Sequence, residues 1–441
     1  MILWLLLPSL AQAQWVGNLV ESDTASTAVV GAAIRQWGPT DEVFMVFEVR
    51  DTNTLVNEHH VHIGEWECNN TSCSSASFVN SSASPMDLLN DLRHDQYAHP
   101  AMAIKREGPS EGRDLIVTMR GRADDECDGS GPYATGGATE TVTKYLDVVG
   151  RWWSTNPVGL GSGTVRMDAL DSVCENAQYS FTRYDRNTYD AHAAYDWEET
   201  PDVVSGPTYV PADVFVADYP DGGPWSHEAI WRGATEPNLH YAPTFDFYDD
   251  GAGNARRVVA YHDVTASSVE VAHPDEPDPW NSDAAFSTAV GQWNPSIKVQ
   301  GDRVDVVTAT GSNINYNTCS TTFSVDCRND ADWTEEIIAT NATEASVVSD
   351  GDRLFIVSSS NTNGSEVKVR TKCVGDPSWS VEAPRSVPTG ESQMLYSGRP
   401  YVALNKKDNV LHVVFIENEN GLPNEDTGDA FWFRRSYADC P

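Results

Sequence analysis

Along most of the chain apolar and polar residues alternate with the period of two that a half-buried β-strand requires, and the helical period is nearly absent. The alternation comes in pairs: a short strand, often opened by proline, leads through a polar turn into a strongly β-branched strand. Pro295 to Val299, the turn Gly301-Asp302-Arg303 and Val304 to Thr308 form the clearest copy. Ala345 to Ser349, Gly351-Asp352-Arg353 and Leu354 to Val357 repeat it, as do Arg399 to Leu404, Lys407-Asp408-Asn409 and Val410 to Phe415. Earlier copies carry longer turns: His99 to Ile104 precedes Leu115 to Met119, and Ala242 to Phe247 precedes Val258 to Tyr261. A first copy runs through Ala28 to Val30 and Val43 to Phe47, and a less regular one lies between Val165 and Trp231. One short helix is predicted over Met86 to Arg93, with Ser84 as its N-cap and Pro85 at its first position.

This pattern predicts an all-β fold and excludes α/β barrels and doubly wound sheets, which need a helix between strands. Tandem sandwiches would need linkers, and no Pro/Ser/Gly-rich hinge interrupts the repeat. Radial repetition protects sheet edges without linkers, so a single β-propeller of about seven four-stranded blades is expected over residues 14–441, with six or eight as the alternatives. Ala430 to Arg434, the last recognisable strand, is expected to share a sheet with the segment after Gln14 and close the ring. Trp280, Trp333 and Trp379 end their copies in polar surroundings, where a large ring fills the space between neighbouring sheets.

Ile2 to Leu10 is a short apolar run, and Ala11-Gln12-Ala13 has the small-x-small form of a signal-peptidase site, so residues 1–13 read as a signal peptide. The 8 cysteines fit an oxidising compartment, secreted, periplasmic or at the cell surface. Cys68 with Cys73, and Cys319 with Cys327, have the spacing of local loop staples. Cys127, Cys174, Cys373 and Cys440 remain, and three connectivities are open to them; Cys127 to Cys174 and Cys373 to Cys440 is the pairing by elimination. No CxxC pair supports zinc. Sequons stand at Asn69, Asn70, Asn80, Asn341 and Asn363. The net charge of -36 repels phosphate backbones and anionic lipid, which excludes nucleic acid and membrane surfaces as partners, and no segment is apolar for long enough to span a bilayer. A monomer is expected.

The order of strand, Gly-Asp-Arg turn, strand and tryptophan, best seen from Pro295 to Trp379, resembles the sialidase-like, BNR-repeat propeller superfamily over most of the mature chain. No copy carries the Ser-x-Asp-x-Gly-x-x-Trp box intact. The resemblance implies a ligand at the mouth of a central channel and, for an enzyme of this class, three arginines around a carboxylate, a tyrosine backed by a glutamate, and an acidic proton donor.

Arg120, Arg232 and Arg399 follow or open strands and Tyr241 begins one, which makes them candidate ligand-binding residues, with Trp231 as an aromatic platform. Trp152, Trp153 and Trp225 add to the aromatic surplus of the irregular region. Asp124-Asp125-Glu126-Cys127-Asp128-Gly129 resembles the start of a calcium loop, with Asp124, Glu126 and Asp128 at alternate positions where their oxygens converge on one hard cation. His60 and His62 fall on one face of a strand, the spacing of a transition-metal pair. Serine-triad, P-loop, haem and HExxH patterns are absent. The expected function is an extracellular propeller that binds glycan or another cell-surface polymer with calcium as a structural aid. The competing expectations are a sialidase-like exo-glycosidase and an adhesive or structural surface protein.

Overall fold

The structure is a computed structural model that describes residues 14–21, 27–36, 42–51, 59–79, 86–87, 94–104, 114–123, 138–147, 165–166, 175–176, 180–184, 191–199, 213–219, 226–230, 240–249, 255–263, 266–272, 286–288, 291–301, 303–319, 327, 330–360, 366–386, 400–417 and 428–440. Strand β1 (Val16–Glu21) belongs to the last sheet. Strands β2 (Thr27–Gln36), β3 (Glu42–Asp51) and β4 (His59–Cys68) form a meander edged by β5 (Ala76–Phe78) and β6 (Met86–Asp87). Next come β7 (His94–Ile104), β8 (Asp114–Ala123) and β9 (Ala138–Asp147) with β10 (Val165–Arg166) and β11 (Glu175–Asn176). After them stand β12 (Ser180–Tyr184), β13 (Ala191–Glu199), β14 (Asp213–Tyr219) and β15 (Ser226–Ala229). Parallel bridges between His59 and Gln96, and between Asn176 and Thr139, join these meanders into one 14-stranded ladder.

Three separate four-stranded antiparallel sheets follow. They are β16 (His240–Asp249), β17 (Ala255–Asp263), β18 (Ser268–Ala272) and β19 (Phe286–Ser287); β20 (Trp293–Gln300), β21 (Arg303–Thr310), β22 (Asn313–Cys319) and β23 (Thr334–Thr340); and β24 (Ala342–Ser349), β25 (Arg353–Ser360), β26 (Glu366–Cys373) and β27 (Ser380–Ser386). The last sheet takes β28 (Tyr401–Asn405), β29 (Val410–Glu417) and β30 (Asp429–Ser436), and β1 completes it in the order β1-β30-β29-β28. Val16 lies opposite Arg434 and Leu19 opposite Phe431, so the N-terminal segment does share a sheet with the last strand.

The first strands of the meanders pack on one another in succession: β2 on β7, β7 on β12, β12 on β16, β16 on β20, β20 on β24, β24 on β28, and β28 on β2. The arrangement is propeller-like, and its apolar cores sit between neighbouring sheets. Val258, Val271, Ile297 and Val306 form one such core, closed by Trp333, whose indole N–H donates to the Cys327 carbonyl at 3.0 Å. Trp379 performs the same task one sheet later, its ring 5.2 Å from that of Tyr316 and its N–H 3.3 Å from Glu336 Oε2. Trp280 lies outside the described residues. A strand such as β21, buried along its length, has apolar neighbours on both faces, which is why Val304 to Thr308 reads as a near-continuous β-branched run.

The proline that opens a copy has a structural reason. Pairing skips the segment between Ala98 and Ala101, between Tyr241 and Thr244, and between Trp293 and Ser296, so Pro100, Pro243 and Pro295 each sit in a bulge where the ladder asks for no N–H. Ala242 and Asn294, the residues before two of these prolines, have φ of 52° and 50°.

The helix expected over Met86 to Arg93 is corrected in part: Met86 and Asp87 pair with Ile63 and His62 as strand β6, because the exposed edge of β4 offers backbone partners that outweigh a local capping signal, and 88–93 lie outside the described residues. Cys68–Cys73, Cys319–Cys327 and Cys373–Cys440 are disulfides, as expected from spacing and elimination. Cys127, Cys174 and the signal-peptide residues 1–13 lie outside the described residues. Among the described residues no helix is long and apolar enough to cross a membrane.

Candidate functional site

Residues at matching places in consecutive first strands meet side by side. Asp246 is the third residue after Pro243 and Lys298 the third after Pro295, and their side chains form an ion pair, only 5% and 8% exposed. Asp246 Oδ2 also accepts the Val299 N–H at 2.9 Å. From β12, Arg183 brings Nη1 to 3.7 Å from Asp246 Oδ1 while its Nε donates to the Phe245 carbonyl at 2.9 Å. Burial alone would raise the Asp246 carboxyl, but Arg183, Lys298 and the Val299 N–H outweigh it and hold the group well below the usual carboxylate range.

Arg35 of β2 completes the group. Its guanidinium lies 6.0 Å from the centre of the Phe181 ring, and Arg183 lies 5.1 Å from the same centre, so two cations gather at one aromatic side chain. Burial first and the charge of Arg183 second lower Arg35 to about 10, against the opposing pull of Tyr401 and Asp246. It therefore stays charged at neutral pH. Arg35 Nη1 donates to the Ile34 carbonyl at 2.9 Å, and among the described residues no carboxylate lies within ion-pairing distance of it. Three cations and one carboxylate thus converge from four first strands, in a chain whose net charge is -36.

Beside this group lies a cavity of about 390 Å³, bounded by the ends of β16 and β20 and by the turns that follow β20, β24 and β28. Lys298 lines it and is thus shared with the charged group. Phe247 and Tyr248, which pack into the cores on opposite faces of β16, contribute to its lining, and Lys406, whose Nζ donates to the Asp350 carbonyl at 3.1 Å, stands on the opposite turn. Gln300 also faces the cavity; its Oε1 accepts from Arg303 at 2.7 Å, while its buried Nε2 has no partner among the described residues.

A tyrosine backed by a glutamate does occur, with Tyr261 OH donating to Glu270 Oε2 at 2.8 Å. Tyr261 is 1% exposed and packs with Ala194, Val216 and Phe245 in the core between two sheets. Burial, then Glu270, pushes its phenol well above the ordinary value, the opposite of an activated nucleophile. Its position and its chemistry are those of a core residue.

The residues singled out from sequence fare differently. Arg120 stands in β8 opposite Ala98 and Thr141, and Tyr241 in β16 opposite His262, on separate meanders. Trp231, Arg232 and Arg399 lie outside the described residues, as do Asp124, Glu126 and Asp128 of the acidic loop. His60 and His62 stand two residues apart in β4, opposite Val49 and Phe47, and His62 Nδ1 lies 3.8 Å from Glu21 Oε2. Among the described residues no group of three metal-ligating side chains comes together. Arg35, Arg183, Asp246 and Lys298 escaped the sequence reading. The signal that could have found two of them is a charge at the same place after the proline of consecutive repeats, since equivalent positions of adjacent first strands become neighbours.

No protein-family model matches the chain, and neither does any curated protein. Among solved structures it is similar to Trypanosoma rangeli sialidase in complex with the inhibitor DANA, at 12% identity and a TM-score of 0.46 over 80% of this chain and 56% of that one. It is also similar to phage phi92 endosialidase, at 10% identity and a TM-score of 0.47 over 97% and 70% of the two chains. A structure of NanB with Optactamide aligns at 8% identity and a TM-score of 0.47 over 98% and 96%. The chain spans 56% of the length of the Trypanosoma rangeli enzyme.

Proposed function

We propose that the chain is an exported propeller whose seven blades begin with β2, β7, β12, β16, β20, β24 and β28, closed by β1 on β30, and that it binds an acidic glycan at the channel walls through Arg35 and Arg183. The observation that carries this reading is the pair of guanidinium groups within about 6 Å of the Phe181 ring, of which Arg183 alone has a carboxylate, Asp246, within ion-pairing distance among the described residues. Planar, permanently charged forks of this kind match carboxylate and sulfate groups. Three disulfides support an oxidising, extracellular setting.

Binding without turnover is favoured over exo-glycosidase action because glycoside hydrolysis needs a carboxylic acid with a raised pKa to protonate the leaving oxygen; Asp246, the carboxyl beside the arginines, is held ionised, and Glu270, which burial raises, is bonded to the core residue Tyr261. The test is titration calorimetry with oligouronates, sulfated oligosaccharides and neutral oligosaccharides of equal length, alongside a panel of chromogenic glycosides. Acidic ligands should bind and neutral ones not, and Arg35→Met or Arg183→Met should weaken binding about tenfold or more. Equal affinity for neutral sugars, indifference to both arginine variants, or turnover of any glycoside would refute the reading, and silence toward every ligand would leave an adhesive role.

A further inference from the structure

We propose that the cavity beside Lys298 is a second sugar subsite, so that the ligand is an acidic oligosaccharide of two or more residues rather than a single terminal sugar; this rests on the reading that Arg35 and Arg183 hold its charged group. The cavity, at about 390 Å³, falls within the size range of small-molecule sites. Its lining offers groups that a pyranose can use: apolar surface from Phe247 and Tyr248, which stand on opposite faces of β16, and the Lys406 ammonium as a donor to hydroxyl or carboxylate oxygens. Gly301 and Gly351, with φ of 52° and 125°, put bare backbone at the rim, where a ring can approach without meeting a side chain.

Continuity with the arginines comes through one side chain. Lys298 lines the cavity, and its ammonium reaches Asp246, whose other oxygen faces Arg183. On this proposal a chain with its charged unit at Arg35 and Arg183 extends its neighbouring unit to the cavity, where Lys406 favours a neighbour that is also anionic. The ligand class is a repeating acidic polymer, carboxylated or sulfated.

The experiment compares galacturonate with di- and tetragalacturonate, and a sulfated disaccharide with its tetrasaccharide, by calorimetry on the full chain. The oligomers should bind at least tenfold tighter than the smallest ligand of their series, a difference of about 1.4 kcal/mol, and Lys406→Ala, on an exposed turn, should reduce that ratio to about one. Lys406→Gln, which keeps a hydrogen-bond donor, should retain part of it. Equal affinity for short and long ligands, or a length advantage untouched by Lys406→Ala, overturns the second subsite and leaves the arginine reading standing. Loss of all acidic-sugar binding from the parent protein, or indifference of every ligand to Arg35→Met, overturns the arginine reading instead and the subsite with it.

Discussion

Replacing Asp246 by asparagine tests whether the charged group is a bonded unit. The substitution keeps the volume and an acceptor for the Val299 N–H, but it leaves Lys298, 8% exposed, and the nearby Arg183 facing a neutral amide. Removing one member of a buried ion pair typically costs about 3 to 5 kcal/mol, and the retained acceptor places Asp246→Asn near the lower end. Lys298→Met leaves Asp246 with Arg183 and the Val299 N–H, so it should cost less. The double variant should be less destabilised than the sum of the singles by about 1 to 3 kcal/mol, the coupling expected of residues in direct contact. Urea denaturation at neutral pH reads all four proteins, with an unchanged m-value required for the comparison. Acidification supplies a second reading. Because the folded-state pKa of Asp246 lies below the ordinary 3.8, its contribution is complete above that value and is lost as pH falls through and beneath it, so the parent should lose more stability there than Asp246→Asn. Simple additivity of the single variants, or an Asp246→Asn protein within about 0.5 kcal/mol of the parent, would show that the group is not coupled.

Three further outcomes follow from the packing. His412 is fully buried, its Nδ1 accepts the Trp432 indole N–H at 3.2 Å, and burial with the nearby Arg434 lowers it from 6.5 to about 3, so the folded protein should lose stability as pH falls through that window, and His412→Leu should flatten the loss in pH-dependent melting. A methyl added at Gly17 of β1 would fall within the ring of Phe433 on β30, so Gly17→Ala should destabilise the closing sheet by about 1 to 3 kcal/mol, visible as a lowered melting temperature and faster proteolysis of the N-terminal segment. The Cys373–Cys440 bond spans 67 residues and Cys319–Cys327 spans 8, so the chain-entropy relation expects removal of the first by paired serine substitution to cost about 4 kcal/mol and of the second about 2.5, an order that denaturation of the two variants checks.

The strand pairs, the proline that opens them, three of the disulfides and the sharing of a sheet by the two ends of the chain were legible in the order of residues. Each rests on local chemistry: alternation follows from the pleat, a proline from a missing N–H, and a short disulfide from the reach of a loop. Closure was legible because one unpaired strand was left at the end and one at the beginning. Even local signals yielded where a neighbour offered more, as Met86 and Asp87 did when the edge of β4 gave their backbone a partner. The site was another matter. Arg35, Arg183, Asp246 and Lys298 come from four separate strands, and which charges face each other depends on how the first strands align side by side, a register set by bulges and by the packing of whole sheets. Arginines picked by residue type alone, such as Arg120, carried no such information. Residue type tells what a side chain can do, and only the stacking of sheets decides which partner it does it with.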